Sequence, residues 1–315
     1  MAELRNEFKW SVTRDRHFRE CRRMFYLQHY AFWGGWRLDA DDLAKLCYRL
    51  TKMQNLDTWA GDIVHKGIEE TLRKVRARQP IDFQSLTSAA ISRLRTGWTQ
   101  SKNEQWRLDP KRYVNLFEHY YQREVPRERT DEIKQRVLQC LENFWRSPMF
   151  AWLQQTQPSD WKSLEDFQEF QLGCFTITVK MDLALERDGM LYICDWKTGQ
   201  QDGKDMTQMA CYALYAMKVW GYRLDQIKIV LAYLRENVFQ EYQPSPEEII
   251  EAQDRILESC YGMQASLTDP VANLASIENF PMTLERWRCQ RCAFWEVCYG
   301  NRQIAESSSA FSEDF

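Results

Sequence analysis

The chain reads as an α/β protein with a helical N-terminal half, and three observations carry that reading. Residues 175–187 alternate strictly: Phe175, Ile177, Val179, Met181, Leu183 and Leu185 against Thr176, Thr178, Lys180, Asp182 and Ala184. Period two is the strand signal, and Asp188-Gly189 after it is a hairpin turn signal leading into a second apolar run, 190–199. Before residue 165 the apolar residues recur at helical spacing, with Pro80, Pro126 and Pro148 between the runs. After the hairpin, a helix at 205–220 is followed by strand-like runs at 227–234 and 238–242. The order is therefore a helical half, then a strand–strand–helix–strand core, then a cysteine-rich end.

Residues 11–30 are expected to form a basic helix capped by Ser11 or Thr13, with Phe18, Cys21, Phe25 and Gln28 near one stripe. An aromatic stretch (Phe32, Trp33, Trp36) leads to a short helix at about 41–54. Asp57 or Thr58 then caps a longer one, whose core stripe is Ile63, Val64, Ile68, Leu72 and Val75. Further helices are expected near 83–99, 110–123 and 130–146. Gly221 stands where the helix opened by Asp205 needs a C-terminal cap. Ser245-Pro246-Glu247-Glu248 starts another helix: cap, proline in the first turn, then acids. The polar end, 307–315, reads as a disordered tail.

A net charge of −3 over 315 residues excludes a protein that binds nucleic acid by overall charge, so any phosphate-binding surface has to be local. No apolar run approaches the roughly 20 residues that span a bilayer, and Met1 to Glu7 has no signal-peptide core. The expectation is a soluble cytoplasmic protein, where disulfides are disfavoured and ten cysteines need another explanation.

Four constellations stand out. Asp195 and Lys197, two apart, leave one face of the second strand, and the hairpin brings Asp182 beside them. Two carboxylates and an ammonium suit a divalent metal and an activated water beside a phosphate; a solvated strand face also carries such charges. His65 and Glu69 share a helix face at i and i+4, where a neutral imidazole can ligate a metal, although a lone histidine is more often a hydrogen-bonded helix residue. Gly61 and Gly67 on that helix allow close approach of a neighbour. Gln208 and Tyr212, again i and i+4, suit contacts to phosphates and bases, or plain packing. Cys289, Cys292 and Cys298 lie close enough to reach one metal centre, with Cys21 the best fourth ligand. Cys47, Cys140, Cys174, Cys194, Cys211 and Cys260 read as core. The run from Gly199 to Asp205 is too short for a phosphate loop and has no Ser or Thr after Lys204.

In this order, the four constellations resemble the RecB-like branch of the PD-(D/E)XK nuclease superfamily, and in particular its iron–sulfur members of the AddB and CRISPR-adaptation types. The resemblance covers about residues 11–299. It implies a restriction-endonuclease-like core, a mixed central sheet flanked by helices. It also implies one domain over 1–306, with a helical part at 57–165, a catalytic sheet at 166–243 and a cysteine segment at 281–299. By this resemblance, His65, Asp182, Asp195 and the Trp196 backbone carbonyl hold Mg²⁺ or Mn²⁺, Lys197 orients and helps deprotonate the attacking water, and Gln208 and Tyr212 position the DNA strand. Glu69 adds an acid near the metal. A [4Fe–4S] cluster on Cys21, Cys289, Cys292 and Cys298 clips the two ends together.

One departure is Val179-Lys180-Met181, where the family often has Gly. Lys180 falls on the face of Asp182, as a phosphate contact or a modifier of metal binding. The stretch 83–146 matches no motif and suits a lid or a guide for single-stranded DNA. The implied activity is a metal-dependent deoxyribonuclease, an exonuclease on single strands or ends, in repair, recombination or antiviral defence, alone or recruited by a separate helicase. The alternatives are a non-catalytic DNA-binding subunit of the same fold and a zinc-stabilised protein of other function.

Overall fold

A computed structural model describes residues 5–199 and 206–304. Ser11 caps α1 (Val12–Glu20) by accepting the Arg14 N–H, but the helix does not run on to residue 30. Cys21 is extended (φ −162°, ψ 115°) and separates α1 from α2 (Arg22–Tyr26). The start of α2 is met by the far end of the chain: Arg23 donates its N–H to Pro281 O (3.0 Å) and its Nε–H to Phe280 O (2.8 Å). A tertiary contact satisfies an amide that a continuous helix would have used, and no local signal announces it. A π turn (Leu27–Ala31) and α3 (Asp42–Leu50) follow.

Asn55 caps α4 (Leu56–Arg76), two residues before the expected cap, and the buried stripe is the one the 3.6-residue period demands. α4 packs with α5 (Phe83–Lys102) and α7 (Arg127–Arg146), and the fit is close at Gly67. A Cβ there would stand 2.9 Å from a Leu86 methyl and 3.3 Å from one of Leu141. The helix expected at 110–123 shrinks to α6 (Phe117–Tyr120). Asp109 Oδ1 accepts the N–H groups of Lys111 and Arg112, a local turn that competes with helix. The next residues form β2 (Asn115–Leu116), parallel to β1 (Met53–Gln54). α8 (Pro148–Leu153) closes the helical half.

The strand region holds β3 (Trp161–Leu164), β4 (Phe167–Leu172), β5 (Phe175–Lys180), β6 (Leu183–Arg187) and β7 (Met190–Lys197). What the alternation presents as a single strand from residue 175 is two, β5 and β6, broken at Met181–Asp182. β5 pairs with β4 in a two-stranded sheet, whereas β6 belongs to a five-stranded sheet of order β3-β6-β7-β8-β9, completed by β8 (Ile227–Tyr233) and β9 (Val238–Tyr242). Only β7–β8 is parallel, and α9 (Met206–Val219) lies between them in sequence; the sheet is mixed. Asp188 and Gly189 turn the β6–β7 hairpin with φ of +53° and +74°. Gly221 takes φ +75° after α9, and Ser245 with Glu248 forms the expected capping box on α10 (Pro246–Ala265). Asp205 and residues 307–315 lie outside the described residues.

The two faces of the sheet bury different helices. Leu183, Leu185, Cys194 and Trp196 pack into the core of α4, α5 and α7, while Ala184, Leu191, Ile193 and Leu231 pack with α9 and α10. A third core of Leu27, Leu50, Trp106, Phe117, Tyr121 and Phe294 seats the C-terminal segment, α11 (Arg286–Cys289) and α12 (Trp295–Tyr299). Of the six cysteines expected in cores, five are buried and Cys174 is exposed, because it follows Gly173 in the β4–β5 turn. Among the described residues, no helix is long and apolar enough to cross a membrane.

A Cβ at Gly189 would touch nothing, so Gly189→Ala isolates the cost of its left-handed backbone. The expected loss is about 1 kcal/mol, read as a shifted urea midpoint at unchanged slope.

Candidate active site

Strand period decides the first half of the site. Cys194 and Trp196 face the helical core, so Asp195 and Lys197 leave the opposite face of β7, toward α9. Asp195 is 3 % exposed. Lys197 Nζ stands 2.8 Å from Asp195 Oδ2, off the line of a hydrogen bond, and among the described residues no donor is aligned on that oxygen. Gln208 and Tyr212, one turn apart on α9, meet the same point. Lys197 Nζ donates to Gln208 Oε1 (2.9 Å) and Gln208 Nε2 donates to Tyr212 OH (2.7 Å). That hydroxyl lies 3.1 Å from Asp195 Oδ1 and 2.8 Å from Lys180 O, and its one proton serves one acceptor at a time. The pair expected on a DNA strand is thus bonded to Lys197, Asp195 and the Lys180 carbonyl, with Gln208 half-buried. Tyr212 is buried, and with Gln208 it holds Asp195 and Lys197.

The second half is built on the break between β5 and β6. Asp182 Oδ2 accepts the Trp196 N–H at 2.7 Å, just past the point where Leu183 ends the ladder opposite Cys194. In a strand, the N–H and C=O of one residue point to the same side, so the Trp196 carbonyl faces the side of Asp182. Asp182 Oδ1 lies 3.3 Å from His65 Nδ1. Gly61, one turn before His65, lets α4 close on the end of β7: a Cβ there would stand 3.0 Å from Thr198 Oγ1.

A third group was not foreseen. Glu165, in the β3–β4 turn, brings Oε1 to 3.6 Å from His65 Nδ1 and pairs Oε2 with Lys180. His65, Glu165 and Asp182 offer ligand atoms all within 4.8 Å of one another, the only such His/Cys/Asp/Glu group among the described residues. Glu69, the acid the helical spacing offered, is not in it: Lys66 (3.0 Å) and Arg73 (2.8 Å) on its own helix hold the carboxylate. Lys180 is likewise drawn to Glu165. Nothing periodic marks Glu165 in the sequence, and its left-handed φ of +59° is visible only in the fold.

These charges shape each other. Burial, then the Asp182 charge, push Asp195 up to about 6. Burial opposes a charged His65, but Asp182 and Glu165 outweigh it and raise the imidazole well above its usual range. Burial also works against the Glu165 carboxylate, which His65 and Lys180 nevertheless hold below its ordinary value. An imidazole between two carboxylates is a donor set that could hold a cation in place of the imidazole proton, with an ammonium on the neighbouring strand.

At the other end, Cys21, Cys289 and Cys292 line one cavity of about 220 Å³ with Trp287 and Arg288, and Cys298 is close enough to feel Cys21 and Cys289. No three of these thiols lie within 4.8 Å of one another. Burial pushes Cys292 up to about 12 and Cys298 to about 11.

A profile of the PD-(D/E)XK nuclease superfamily matches residues 9–299, from the segment before α1 to the end of α12. The chain belongs to that superfamily of metal-dependent nucleases, and its His65–Glu165–Asp182 group is in keeping with divalent-metal use. No curated protein matches the sequence.

Both raised groups give the same sign of pH dependence. A group raised on folding contributes stability below its unfolded pKa and loses it as pH rises through the folded one. For Asp195 that window runs from 3.8 to about 6, and for His65 it lies above 6.5. A divalent cation held by these groups would compete with both protons. The rise in Tm caused by millimolar Mg²⁺ is therefore expected to grow from about pH 5 to pH 8. An increment independent of pH in a melting series would separate cation binding from these groups.

Proposed function

We propose that this protein is a Mg²⁺- or Mn²⁺-dependent deoxyribonuclease of the RecB-like branch, acting on single strands or DNA ends. The observation that carries the reading is the convergence of His65, Glu165 and Asp182 at one point, joined through the Trp196 amide to the strand that carries Asp195 and Lys197. His65, Asp182, Asp195 and the Trp196 carbonyl would hold the cation, which when bound polarises the scissile phosphate. Lys197, steadied by Gln208, orients the attacking water and takes part in its deprotonation. Tyr212 keeps Asp195 in place and excludes water behind it. The competing reading, a non-catalytic subunit of the same fold, sits poorly with an intact Asp-x-Lys whose side chains are already mutually positioned.

The test is cleavage of single-stranded DNA labelled separately at its 5′ and 3′ ends, with Mg²⁺ or Mn²⁺, by wild type and Lys197→Ala. We expect cleavage by wild type and a fall of at least 10²-fold in the variant, and the label released first reports polarity. Equal rates in both proteins would assign the cleavage to a contaminant.

The same reading gives Cys21, Cys289, Cys292 and Cys298 a [4Fe–4S] cluster. In its support, thiols spread around a cavity suit a multi-atom cluster better than one zinc ion, whose four thiolates at about 2.3 Å bring sulfurs within about 4 Å of one another. Cys21 and the C-terminal cysteines are also far apart in sequence, so the cluster closes a long loop. Anaerobically purified protein is expected to be brown, with absorbance near roughly 400 nm. Cys289→Ala should reduce soluble yield as well as colour. A soluble, normally melting and colourless variant would remove the structural role.

A further inference from the structure

We infer that Glu165 is a further ligand of the divalent cation, with Lys180 as its positioning residue. The inference rests on reading the His65–Asp182 point as a cation site. Three features of Glu165 go beyond an incidental ion pair. Its side chain is 9 % exposed and its Oε1 is turned to the imidazole nitrogen that Asp182 also faces, so that all three ligand atoms lie within 4.8 Å of one another. Its backbone is bound to the same bend: Glu165 N–H reaches both Met181 O (3.2 Å) and Asp182 O (3.1 Å). The residue also holds a left-handed φ of +59°, a conformation that disfavours Glu and persists where the surroundings impose it.

Lys180 occupies the other carboxylate oxygen, Oε2, and so aims Oε1. Its own stem is fixed by its place at the end of β5, and its ammonium lies 5.6 Å from the centre of the Phe167 ring. Glu165 thereby stands where a hard, oxygen-seeking cation would find a second carboxylate opposite Asp182. Glu69 is the internal control. It is an acid of the same charge, one turn from His65, already held by Lys66 and Arg73.

The experiment is direct Mn²⁺ binding to the full chain, following loss of the free-ion electron paramagnetic resonance signal, for wild type, Glu165→Gln, Glu69→Gln, Asp182→Asn and Lys180→Met. Far-ultraviolet circular dichroism checks folding of each. Glu165→Gln is expected to raise the Kd about tenfold or more, Glu69→Gln to leave it within about twofold, and Lys180→Met to raise it by clearly less than Glu165→Gln, since the carboxylate stays and only its aim is lost. Wild-type affinity in Glu165→Gln beside a weakened Asp182→Asn would overturn the assignment while sparing the site. Equal losses in Glu165→Gln and Lys180→Met would also overturn it, showing a prop rather than a ligand. No Mn²⁺ binding by folded wild type would overturn the site and the ligand together. If Glu165→Gln does not fold, Glu165→Asp keeps the charge but shortens its reach, and weaker binding is again expected.

Discussion

The hydrogen bond from the Trp196 amide to Asp182 is the joint on which the site turns. β6 ends opposite Cys194, three residues before the end of β7, and the Trp196 amide it leaves open would be costly to bury unpaired. Asp182 fills that place with a side chain instead of a backbone carbonyl. The substitution has two effects. It ends the regular ladder at the strand that carries Asp195 and Lys197, and it turns the other oxygen of Asp182 outward to His65. Without the break at Met181–Asp182, Asp182 would be one more residue on a continuous strand, and His65 of α4 would lose this carboxylate partner.

The ionisable groups around that joint make sense only together. Asp182 and Asp195 are both buried, and neither would tolerate burial alone. Each has a positive partner: His65 of α4 for Asp182, and Lys197 of its own strand for Asp195. Tyr212 and Gln208 hold the second pair in place. The raised Asp195 reflects incomplete compensation of its burial.

The cysteine end is held by more than its thiols. Arg23 binds the backbone at Phe280 and Pro281, and Tyr121 OH donates to Ala293 O. Phe294 is buried among Leu27, Leu50 and Trp106. The N-terminal helices, the 115–121 segment and the C-terminal segment therefore form one body around the cavity of Cys21, Cys289 and Cys292. A cluster there would tighten an assembly that packing already brings together, and the break at Cys21 is what points that thiol at the cavity.

Local chemistry was legible in the sequence wherever a short-range rule governs it. The period-two run and the Asp188-Gly189 turn predict the hairpin, the apolar stripe predicts α4, and Ser245 with Glu248 predicts the start of α10. Asp195 and Lys197 share a face because strand geometry allows nothing else, and Gln208 and Tyr212 share one by helical period. What local rules could not reveal is where elements stop and what they meet. The helix over 11–30 breaks at Cys21, where a segment some 260 residues away bonds the Arg23 amide. The strand from Phe175 divides because two sheets claim its halves. Glu69 and Glu165 differ for the same reason: spacing puts Glu69 near His65, but Lys66 and Arg73 hold its carboxylate, while Glu165 reaches the imidazole through a turn with no periodic signature. By itself the sequence determined which side chains share a face, since backbone geometry is local. Only the tertiary structure decided which charges meet, since pairing of buried charge depends on contacts between distant segments.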